Sequence, residues 1–414
     1  MLRRALNLSL RLATLVGRFI LFFSLAKYLS PADFAKFGLI TAFVSFGVLF
    51  VGGEFYQFTL RELKGVSPKE RGWMVAHQSC AGLMLYVILM PAYFLLASHG
   101  IAVSENMFLV LMILIFEHIS QELYRILVVL DHQLHAGFQL FLRSAFWVWV
   151  IPVAIILFNY SPLLEHVLYL WLTFSLASIV FGVIGLKRDL KVDFPIRFDR
   201  GWMIRGVRVA GLFFLSALAF RALTTMDKYI VAMLSDENTT AAYVLFFGIS
   251  MVLVNILEPA VFAFSYPKLI ALWRQERFED FRKEYFDMAR YAIVLIVLVG
   301  AGVFVLAPYV LDFLENQTYS VNIIFLPILL LMAGLQGLSL VPHYGLYAMG
   351  RDRALVTSHY GVLLVFVISV ALLSHINEIL AVPIALCVAF LVMLIVKATL
   401  FARHLQTTTA SRGK

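Results

Sequence analysis

Charged residues are scarce in this sequence. Only 14% of its 414 residues are Asp, Glu, Lys or Arg, and 62% are hydrophobic, whereas soluble proteins are about 25% charged and about half apolar. This shortage excludes a water-soluble globular protein. A helix of about 20 apolar residues crosses the hydrocarbon core of a bilayer, and apolar runs of this length recur along the whole chain. The composition therefore predicts an all-α polytopic membrane protein.

Cysteine is also rare, and the motifs of many enzymes are missing. Cys80 and Cys387 both lie in apolar runs, so they offer neither a disulfide framework nor a zinc motif. The sequence has no Gly-x-x-x-x-Gly-Lys-Ser/Thr loop, no His-Glu-x-x-His and no Gly-x-Ser-x-Gly. We therefore expect no ATPase motor, no catalytic residue, no bound metal and no enzymatic activity. We also expect no nucleic-acid partner.

Apolar stretches bounded by charges or turn residues predict twelve transmembrane helices. They cover residues 8–30, 37–58, 73–97, 107–130, 143–158, 166–186, 209–234, 241–265, 291–313, 321–347, 358–374 and 381–401. A separate surface helix is expected in the connection 267–290, where Phe278, Phe281 and Tyr285 can share one apolar face.

Lysine and arginine are nearly missing from one side of this predicted topology. If both termini are cytoplasmic, the outer connections hold only Lys27 and Lys36, while most other basic residues, Arg143 included, fall in inner connections. Cytoplasmic loops retain positive charge. We therefore expect a multi-pass protein with both its N- and C-termini in the cytoplasm.

The two halves of the chain share a weak internal repeat. The aligned pairs are Ser30 with Ser235, Arg18 with Arg221, and Glu54 with Glu258. The repeat predicts two pseudo-symmetric six-helix lobes, and parallel repeats of this kind place a binding site between the lobes. We expect an N-terminal lobe at 1–190, a cytoplasmic linker at 191–208, a C-terminal lobe at 209–402 and a cytoplasmic tail at 403–414.

Ionisable residues inside the hydrocarbon are costly and are often functional. Arg18 and Arg221 lie too deep in their helices to reach the inner membrane surface easily. Two interpretations stay open. Their guanidinium groups face a central water-filled cavity, where they can bind phosphate bidentately, or Arg18 pairs with Glu54 and Arg221 with Glu258 inside each lobe.

Polar side chains also form a stripe along two helices. The stripe of the fourth helix comprises Glu117, His118, Gln121, Glu122 and Arg125, and that of the tenth comprises Gln336, Ser339, His343 and Tyr347. Such stripes face protein or water rather than lipid. They either line a cavity or join helices by hydrogen bonds.

For three further charged residues, the position in the sequence predicts where the side chain points. Asp227 and Lys228 are neighbours on a helix, so their side chains point about 100° apart. We therefore expect that they do not pair with each other, and that at least one of them has another partner or opens onto the cavity. Lys397 lies near the end of the last span, where a long side chain can extend to the membrane surface.

The sequence resembles the Wzx-type polysaccharide flippases of the MOP (multidrug/oligosaccharidyl-lipid/polysaccharide) exporter superfamily. The resemblance rests on Gly17-Arg18-Phe19, on Tyr28-Leu29-Ser30-Pro31 through Phe37-Gly38, on Phe220-Arg221 through Asp227-Lys228-Tyr229, and on Ala242-Tyr243. It covers the whole chain, but its motifs are degenerate. It implies a MATE-like fold of two lobes that alternate access to a central cavity.

This resemblance also implies a function. The expected activity is translocation of a polyprenyl-pyrophosphate-linked oligosaccharide across the bacterial cytoplasmic (inner) membrane for O-antigen, capsule or exopolysaccharide synthesis, with membrane lipids and the polymerase and glycosyltransferase machinery as partners. The expected cavity cations are Arg18, Arg221, Arg125 and Lys228. The expected coupling or ion-pair carboxylates are Glu54, Glu258, Asp227, Glu117 and Glu122. The expected polar stripe of the cavity comprises His118, Gln121, Gln336 and His343. No cofactor is expected, and transport is expected to be coupled to H⁺ or Na⁺.

Other functions are weighed against this one. A multidrug or small-molecule antiporter of the same superfamily predicts one dominant deep carboxylate and a cavity that favours cations. A membrane polymerase or glycosyltransferase needs a sizeable loop for its catalytic groups, and the predicted outer loops are too short. A major-facilitator transporter is disfavoured because residues 61–72 lack the glycine-rich signature of that family.

Overall fold

The structure is a computed structural model that describes residues 2–98, 106–192 and 197–412. Every regular element in these ranges is helical. The chain divides into two compact units, Met1–Leu218 and Ala219–Lys414, which we call unit 1 and unit 2. The division falls inside a long helix, Arg200–Leu234, beyond the segment 191–208 that the sequence predicts as a linker.

Unit 1 is built from eight helices and the first part of a ninth. They are α1 (Leu2–Tyr28), α2 (Pro31–Gly52), α3 (Tyr56–Glu62), α4 (Pro68–Ser98), α5 (Met107–Val129), α6 (Gln133–Phe141), α7 (Trp147–Phe158), α8 (Leu164–Leu186) and α9 (Arg200–Leu234). A π-helical turn, Leu142–Phe146, joins α6 to α7 without a break in the chain direction.

Unit 2 contains the rest of α9 and seven further helices. They are α10 (Glu237–Leu257), α11 (Ala263–Arg274), α12 (Phe278–Leu314), α13 (Gln317–Val321), α14 (Phe325–Ala348), α15 (Asp352–Ser374) and α16 (Glu378–Arg412). A second π-helical turn, Glu258–Phe262, joins α10 to α11.

The helices have the length and composition of membrane spans. Within the described residues, ten helical stretches are long and apolar enough to cross a bilayer, and α9 makes eleven if its 43° bend is counted inside one span. Large apolar side chains remain exposed on them, such as Val87 at 73% and Phe158 at 77%, as lipid-facing surfaces require. The predicted fold class, an all-α polytopic membrane protein, is confirmed.

The first predicted span is helical as well. The predicted span 8–30 coincides with α1, but the side chains of residues 2–12 and of Leu15 lie outside the described part of the chain. The first predicted span, 8–30, therefore forms a helix.

Both units begin with the same turn. In unit 1 the Ser30 hydroxyl accepts a hydrogen bond from the Asp33 amide and caps α2. In unit 2 the Asp236 carboxylate accepts one from the Thr239 amide at 2.7 Å and caps α10. This amide holds the pKa of the Asp236 carboxyl below its ordinary value, because it stabilises the ionised form. The sequence repeat at Ser30 and Ser235 thus lies at the same helix start in each unit, although the cap of α10 is Asp236, one residue after Ser235.

The second predicted span, 37–58, is wrong at its end. Helix α2 stops at Gly52 because Gly53 adopts a left-handed conformation with φ 55°, which ends helices readily. Glu54 follows with φ 54°, and α3 starts at Tyr56. Glu54 therefore lies in a tight turn rather than on the second helix.

The separate surface helix expected at 267–290 is also wrong. The connection turns at Glu276, where φ is 60°, and α12 then runs without interruption from Phe278 into the membrane span, over 37 residues. The aromatic face packs inside unit 2. Phe281 is fully buried, and the Tyr285 ring stacks on Phe401 of α16 at 4.1 Å.

Gly72 of unit 1 tests the contact between α4 and the segment that follows α8. A Cβ at Gly72 in α4 would lie 2.2 Å from the Lys191 carbonyl oxygen, and the Lys191 amide donates to the Pro68 carbonyl at 2.9 Å. We expect Gly72→Ala to lower the thermal unfolding temperature of the detergent-solubilised protein, at a cost of about 1–3 kcal/mol, because the backbone must move to admit the methyl group. Gly361→Ala in α15 is the control, since its Cβ meets nothing within 4 Å; equal unfolding temperatures for the two variants would contradict the packing described here.

Candidate functional site

Unit 1 has a partly open cavity of about 490 Å³ between α2, α4 and α5. Most of its lining side chains are apolar. Polar groups reach it from Gln78 and Tyr86 of α4 and from His118 and Glu122 of α5. Apolar walls with a few convergent polar groups are typical of small-molecule sites.

Glu122 is the centre of a polar network at the wall of this cavity. Its two carboxylate oxygens accept hydrogen bonds from the Gln78 amide and from the Arg125 guanidinium. The His118 Nε2 atom lies 4.0 Å from the carboxylate, and the Tyr86 hydroxyl lies 3.0 Å from His118 Nδ1. Three of the predicted stripe residues of α5 therefore meet here, together with two residues of α4.

The network continues from α5 to the turn that holds Glu54. The Arg125 guanidinium lies 3.5 Å from the centre of the Tyr56 ring, a cation–π contact. The Gln57 amide donates to the Tyr56 hydroxyl at 2.9 Å and to the Glu54 carboxylate at 3.2 Å. The break after α2 thus directs Glu54 toward α3, where Gln57 binds it.

Two other residues of the α5 stripe behave differently. Gln121 is half-buried and takes no part in this network within the described residues. Glu117 faces α8, where its carboxylate accepts hydrogen bonds from the Trp171 indole at 2.8 Å and from the Ser175 hydroxyl at 2.9 Å. Its second oxygen lies 3.6 Å from the Arg143 Nε atom.

Arg143 therefore does not lie in an inner connection, as the sequence suggests. It lies within the π-helical turn between α6 and α7, with its side chain only 12% exposed and paired with Glu117. Apolar residues on both sides extend this turn into one helical stretch, Gln133–Phe158, that is long enough to span the membrane. Arg18 approaches the same turn, where its Nε donates to the Ser144 carbonyl at 3.4 Å.

In unit 2, Asp227 and Lys228 form a pair, which corrects the expectation that they do not pair with each other. Asp227 is 0% exposed, and the Lys228 Nζ atom lies 3.2 Å from both of its carboxylate oxygens. The Tyr243 hydroxyl donates a third hydrogen bond at 2.7 Å. The long lysine side chain folds back along the helix, because a fully buried carboxylate without a counter-charge is very costly.

Glu258 opens the π-helical turn of unit 2, and its carboxylate accepts a hydrogen bond from the Tyr344 hydroxyl of α14 at 2.6 Å. The Tyr344 ring packs on Phe262 in the same turn, with ring centres 4.8 Å apart. Glu54 and Glu258, aligned in the sequence repeat, thus both lie where the second long helix of their unit breaks. Their described partners are Gln57 and Tyr344.

The stripe of α14 lies among helices of unit 2. Gln336 and Ser339 are buried, and the Ser339 hydroxyl donates to the Gln336 carbonyl at 2.7 Å. His343 lies 3.3 Å from the Lys397 Nζ atom of α16. Lys397 is only 1% exposed, so its predicted extension to the membrane surface is wrong. The side chain points into the helix bundle and contacts His343.

Sequence reasoning missed most partners of the charged groups. They are Tyr56, Gln57, Gln78, Tyr86, Trp171, Ser175, Tyr243, Tyr344 and His359. All but the titratable His359 are uncharged residues, so no charge in the sequence marks them as partners. The one signal in the sequence is the number of charged residues in apolar segments, each of which needs a partner.

Comparisons with known proteins place this geometry in a known fold. No model of a protein family matches the sequence, and no curated protein matches it. Among solved structures, a multidrug resistance transporter of the MATE family, within the MOP superfamily, in its inward-facing conformation matches with a TM-score of 0.77 and 16% identity, over 96% of this chain and 96% of that one.

Two further structures match over almost the whole length of both chains. The outward-facing conformation of a MATE multidrug resistance transporter has a TM-score of 0.61 at 16% identity, covering 98% of this chain and 96% of that one. A MOP superfamily transporter from Pyrococcus furiosus, described as having a binding pocket of reverse polarity, gives 0.61 at 16% identity over 97% and 95%. The chain therefore has the MATE-type fold of MOP superfamily transporters.

The network around Glu122 predicts a strong dependence of stability on that carboxylate. Glu122→Gln leaves Arg125 as a buried cation without its counter-charge, so we expect a loss of about 3–5 kcal/mol of unfolding free energy. Adding Arg125→Met should recover part of this loss, because it removes the unpaired charge. Thermal unfolding in detergent measures both effects, with Glu165→Gln as the matched change at an exposed carboxylate; a double variant less stable than Glu122→Gln alone would contradict the pairing.

Proposed function

We propose that this protein is an ion-coupled exporter of small organic molecules. The observation that carries the proposal is the fold, since a MATE multidrug transporter matches over 96% of the chain at a TM-score of 0.77. The cavity of unit 1 supports it. Its volume of about 490 Å³ falls within the range of about 300–1,000 Å³ found for small-molecule sites, and its mainly apolar walls suit an amphipathic substrate.

Glu122 is the proposed coupling carboxylate. It lies at the cavity wall, where a proton or a sodium ion can reach it. A bound cation cancels its charge and weakens the hydrogen bonds that it accepts from Gln78 and Arg125, because charge-assisted hydrogen bonds are the stronger kind. A cationic substrate and the coupling ion would then compete for the same carboxylate, which is the requirement for exchange.

A second candidate is the flippase function implied by the sequence resemblance. It is favoured by Arg18 and Arg221, two exposed arginines that lie in long apolar helices. Guanidinium groups bind phosphate bidentately, as a polyprenyl-pyrophosphate-linked oligosaccharide requires. This function places the protein among the partners that assemble surface polysaccharide.

The proposed location is the cytoplasmic membrane of a bacterium, with both termini in the cytoplasm. The distribution of basic residues supports this orientation, since Lys27 and Lys36 are the basic residues of the predicted outer connections. The lobes of the proposed transporter are the halves 1–190 and 209–402.

The exporter proposal predicts uptake of a cationic dye driven by an ion gradient. Purified protein in proteoliposomes should accumulate ethidium when a proton or sodium gradient is imposed, and Glu122→Gln should reduce this accumulation at least about tenfold, since a lost charge interaction of 1.4 kcal/mol already changes an equilibrium tenfold. Glu165→Gln, at an exposed carboxylate, should keep the wild-type rate. Dye accumulation that is independent of both gradients would refute ion coupling.

The flippase candidate makes a different prediction. Arg18→Ala and Arg221→Ala should abolish transfer of a lipid-linked oligosaccharide between the leaflets of a proteoliposome, without loss of protein from the membrane, because the phosphate loses its bidentate donors. The measurement is accessibility of the oligosaccharide to an added glycan-cleaving enzyme. Ethidium transport combined with no oligosaccharide transfer by the wild type would exclude this candidate.

A further inference from the structure

Three basic side chains meet inside unit 2, away from the network described above. The Lys397 Nζ atom of α16 lies 3.3 Å from the His343 Nδ1 atom of α14 and 3.2 Å from the His359 Nε2 atom of α15. The two imidazole rings are parallel, with an angle of 9° between them and 6.1 Å between their centres. We call these three residues the basic cluster.

The basic cluster is enclosed by the helix bundle. Lys397 is 1% exposed and His359 is 8% exposed, and the Phe220 ring of α9 covers His359 at 5.3 Å. Within the described residues, the Lys397 ammonium makes no ion pair with a carboxylate. The groups that face it are therefore the two imidazoles, one from each helix packed against α16.

The neighbour of His343 in sequence, Tyr344, contacts a carboxylate. Tyr344 packs edge-on against His343 at 5.6 Å, and its hydroxyl donates to Glu258 at 2.6 Å. The remaining titratable residues of α15, Asp352, Arg353 and Tyr360, are partly or well exposed. Glu258 is engaged by Tyr344, so the imidazoles remain the acceptors that Lys397 contacts.

The distances limit how many protons the basic cluster can hold. An ammonium can donate to both imidazoles if each presents its lone pair, and a neutral amine can exchange hydrogen bonds with them at the same separations. A second positive charge would leave two cations about 3.2 Å apart in a low-dielectric interior, where their repulsion is large. The arrangement therefore accommodates either no added proton or one, without moving the heavy atoms.

We propose that His343, His359 and Lys397 form a proton-carrying site in unit 2, and that the coupling ion of this protein is the proton. This inference rests on the proposed transport function. In one conformation the basic cluster holds its proton as the Lys397 ammonium; in another, contact with water lets the proton leave. Basic side chains inside membrane helices form proton relays for the same reason, because their charge is costly unless it is transient.

The first test measures proton binding without transport. In protein labelled at its histidine rings, NMR titration should show the His343 and His359 signals changing together, as one coupled site. Lys397→Met should split this into two separate titrations, with a shift of about one pH unit or more. Lys268→Met, an exposed lysine 3.7 Å from Glu284, is the control. Histidine titrations that are the same in the wild type and Lys397→Met would overturn the inference.

The second test measures coupling. In proteoliposomes, ethidium accumulation driven by a pH gradient should fall at least about tenfold in Lys397→Met, while movement of the dye down its own gradient continues. Lys397→Arg should behave in the same way, because a guanidinium does not release its proton. The double variant His343→Gln/His359→Gln, which keeps side chains able to form hydrogen bonds, repeats the test if a lysine variant does not fold.

The two proposals can fail separately. If the wild type accumulates ethidium with a pH gradient and these variants do so equally well, the proton site is wrong while transport stands. If the wild type accumulates ethidium with a sodium gradient and not with a pH gradient, the proposal of a proton site is also wrong. If the wild type transports nothing, the exporter proposal fails, and the NMR titration still decides whether the basic cluster binds one shared proton.

Discussion

The structure depends on one constraint: a charge buried among apolar helices needs a partner within the protein, because hydrocarbon supplies neither water nor counter-ions. Glu122 pairs with Arg125 on the same helix, and Glu117 pairs with Arg143 of the π-helical turn. The fully buried Asp227 pairs with Lys228, which follows it in sequence. Each pair joins groups of the same unit. The polar contacts between helices follow from these pairs, since uncharged donors fill the remaining acceptor sites of each carboxylate.

Departures from regular α-helix place several of these charges. Arg143 and Glu258 lie in π-helical turns, and Glu54 lies in a left-handed turn after Gly53. A π turn widens the helix by one residue and changes the direction of the side chains that follow it, which explains why such turns often occur at functional sites. The cost of an irregular backbone is offset here because the displaced residue reaches a partner that a continuous helix would not offer.

Much of the fold could be predicted from the sequence, because apolar length and turn residues decide where membrane helices begin and end. Ser30 and Asp236 fix helix starts through local hydrogen bonds, whereas the spans predicted from apolar length begin several residues later, at 37 and 241. The errors have physical causes. The end of α2 depends on Gly53 adopting φ 55°, and the continuity of α12 depends on the tertiary packing of Phe281, neither of which an apolar stretch reveals.

The candidate site was less predictable, since partner choice is a matter of three-dimensional distance. Helical spacing brought His118, Glu122 and Arg125 onto one face, and the structure joins them. Spacing also suggested that Asp227 and Lys228 diverge, yet the lysine side chain is long enough to return. Lys397 shows the same limit: its position near a helix end indicated the membrane surface, and only the approach of α14 and α15 reveals two imidazoles beside it.

The pairing of Glu122 with Arg125 bears on the charge of the substrate. While Glu122 is ionised, its carboxylate and the Arg125 guanidinium cancel each other's charge, and this wall of the cavity carries no net charge. Once a proton or sodium ion binds Glu122, the carboxylate no longer neutralises Arg125, and the same wall presents a net positive charge. An organic cation is then released where a phosphate would be bound. Under the exporter proposal, binding of the coupling ion to Glu122 would therefore drive the release of a cationic substrate from this wall.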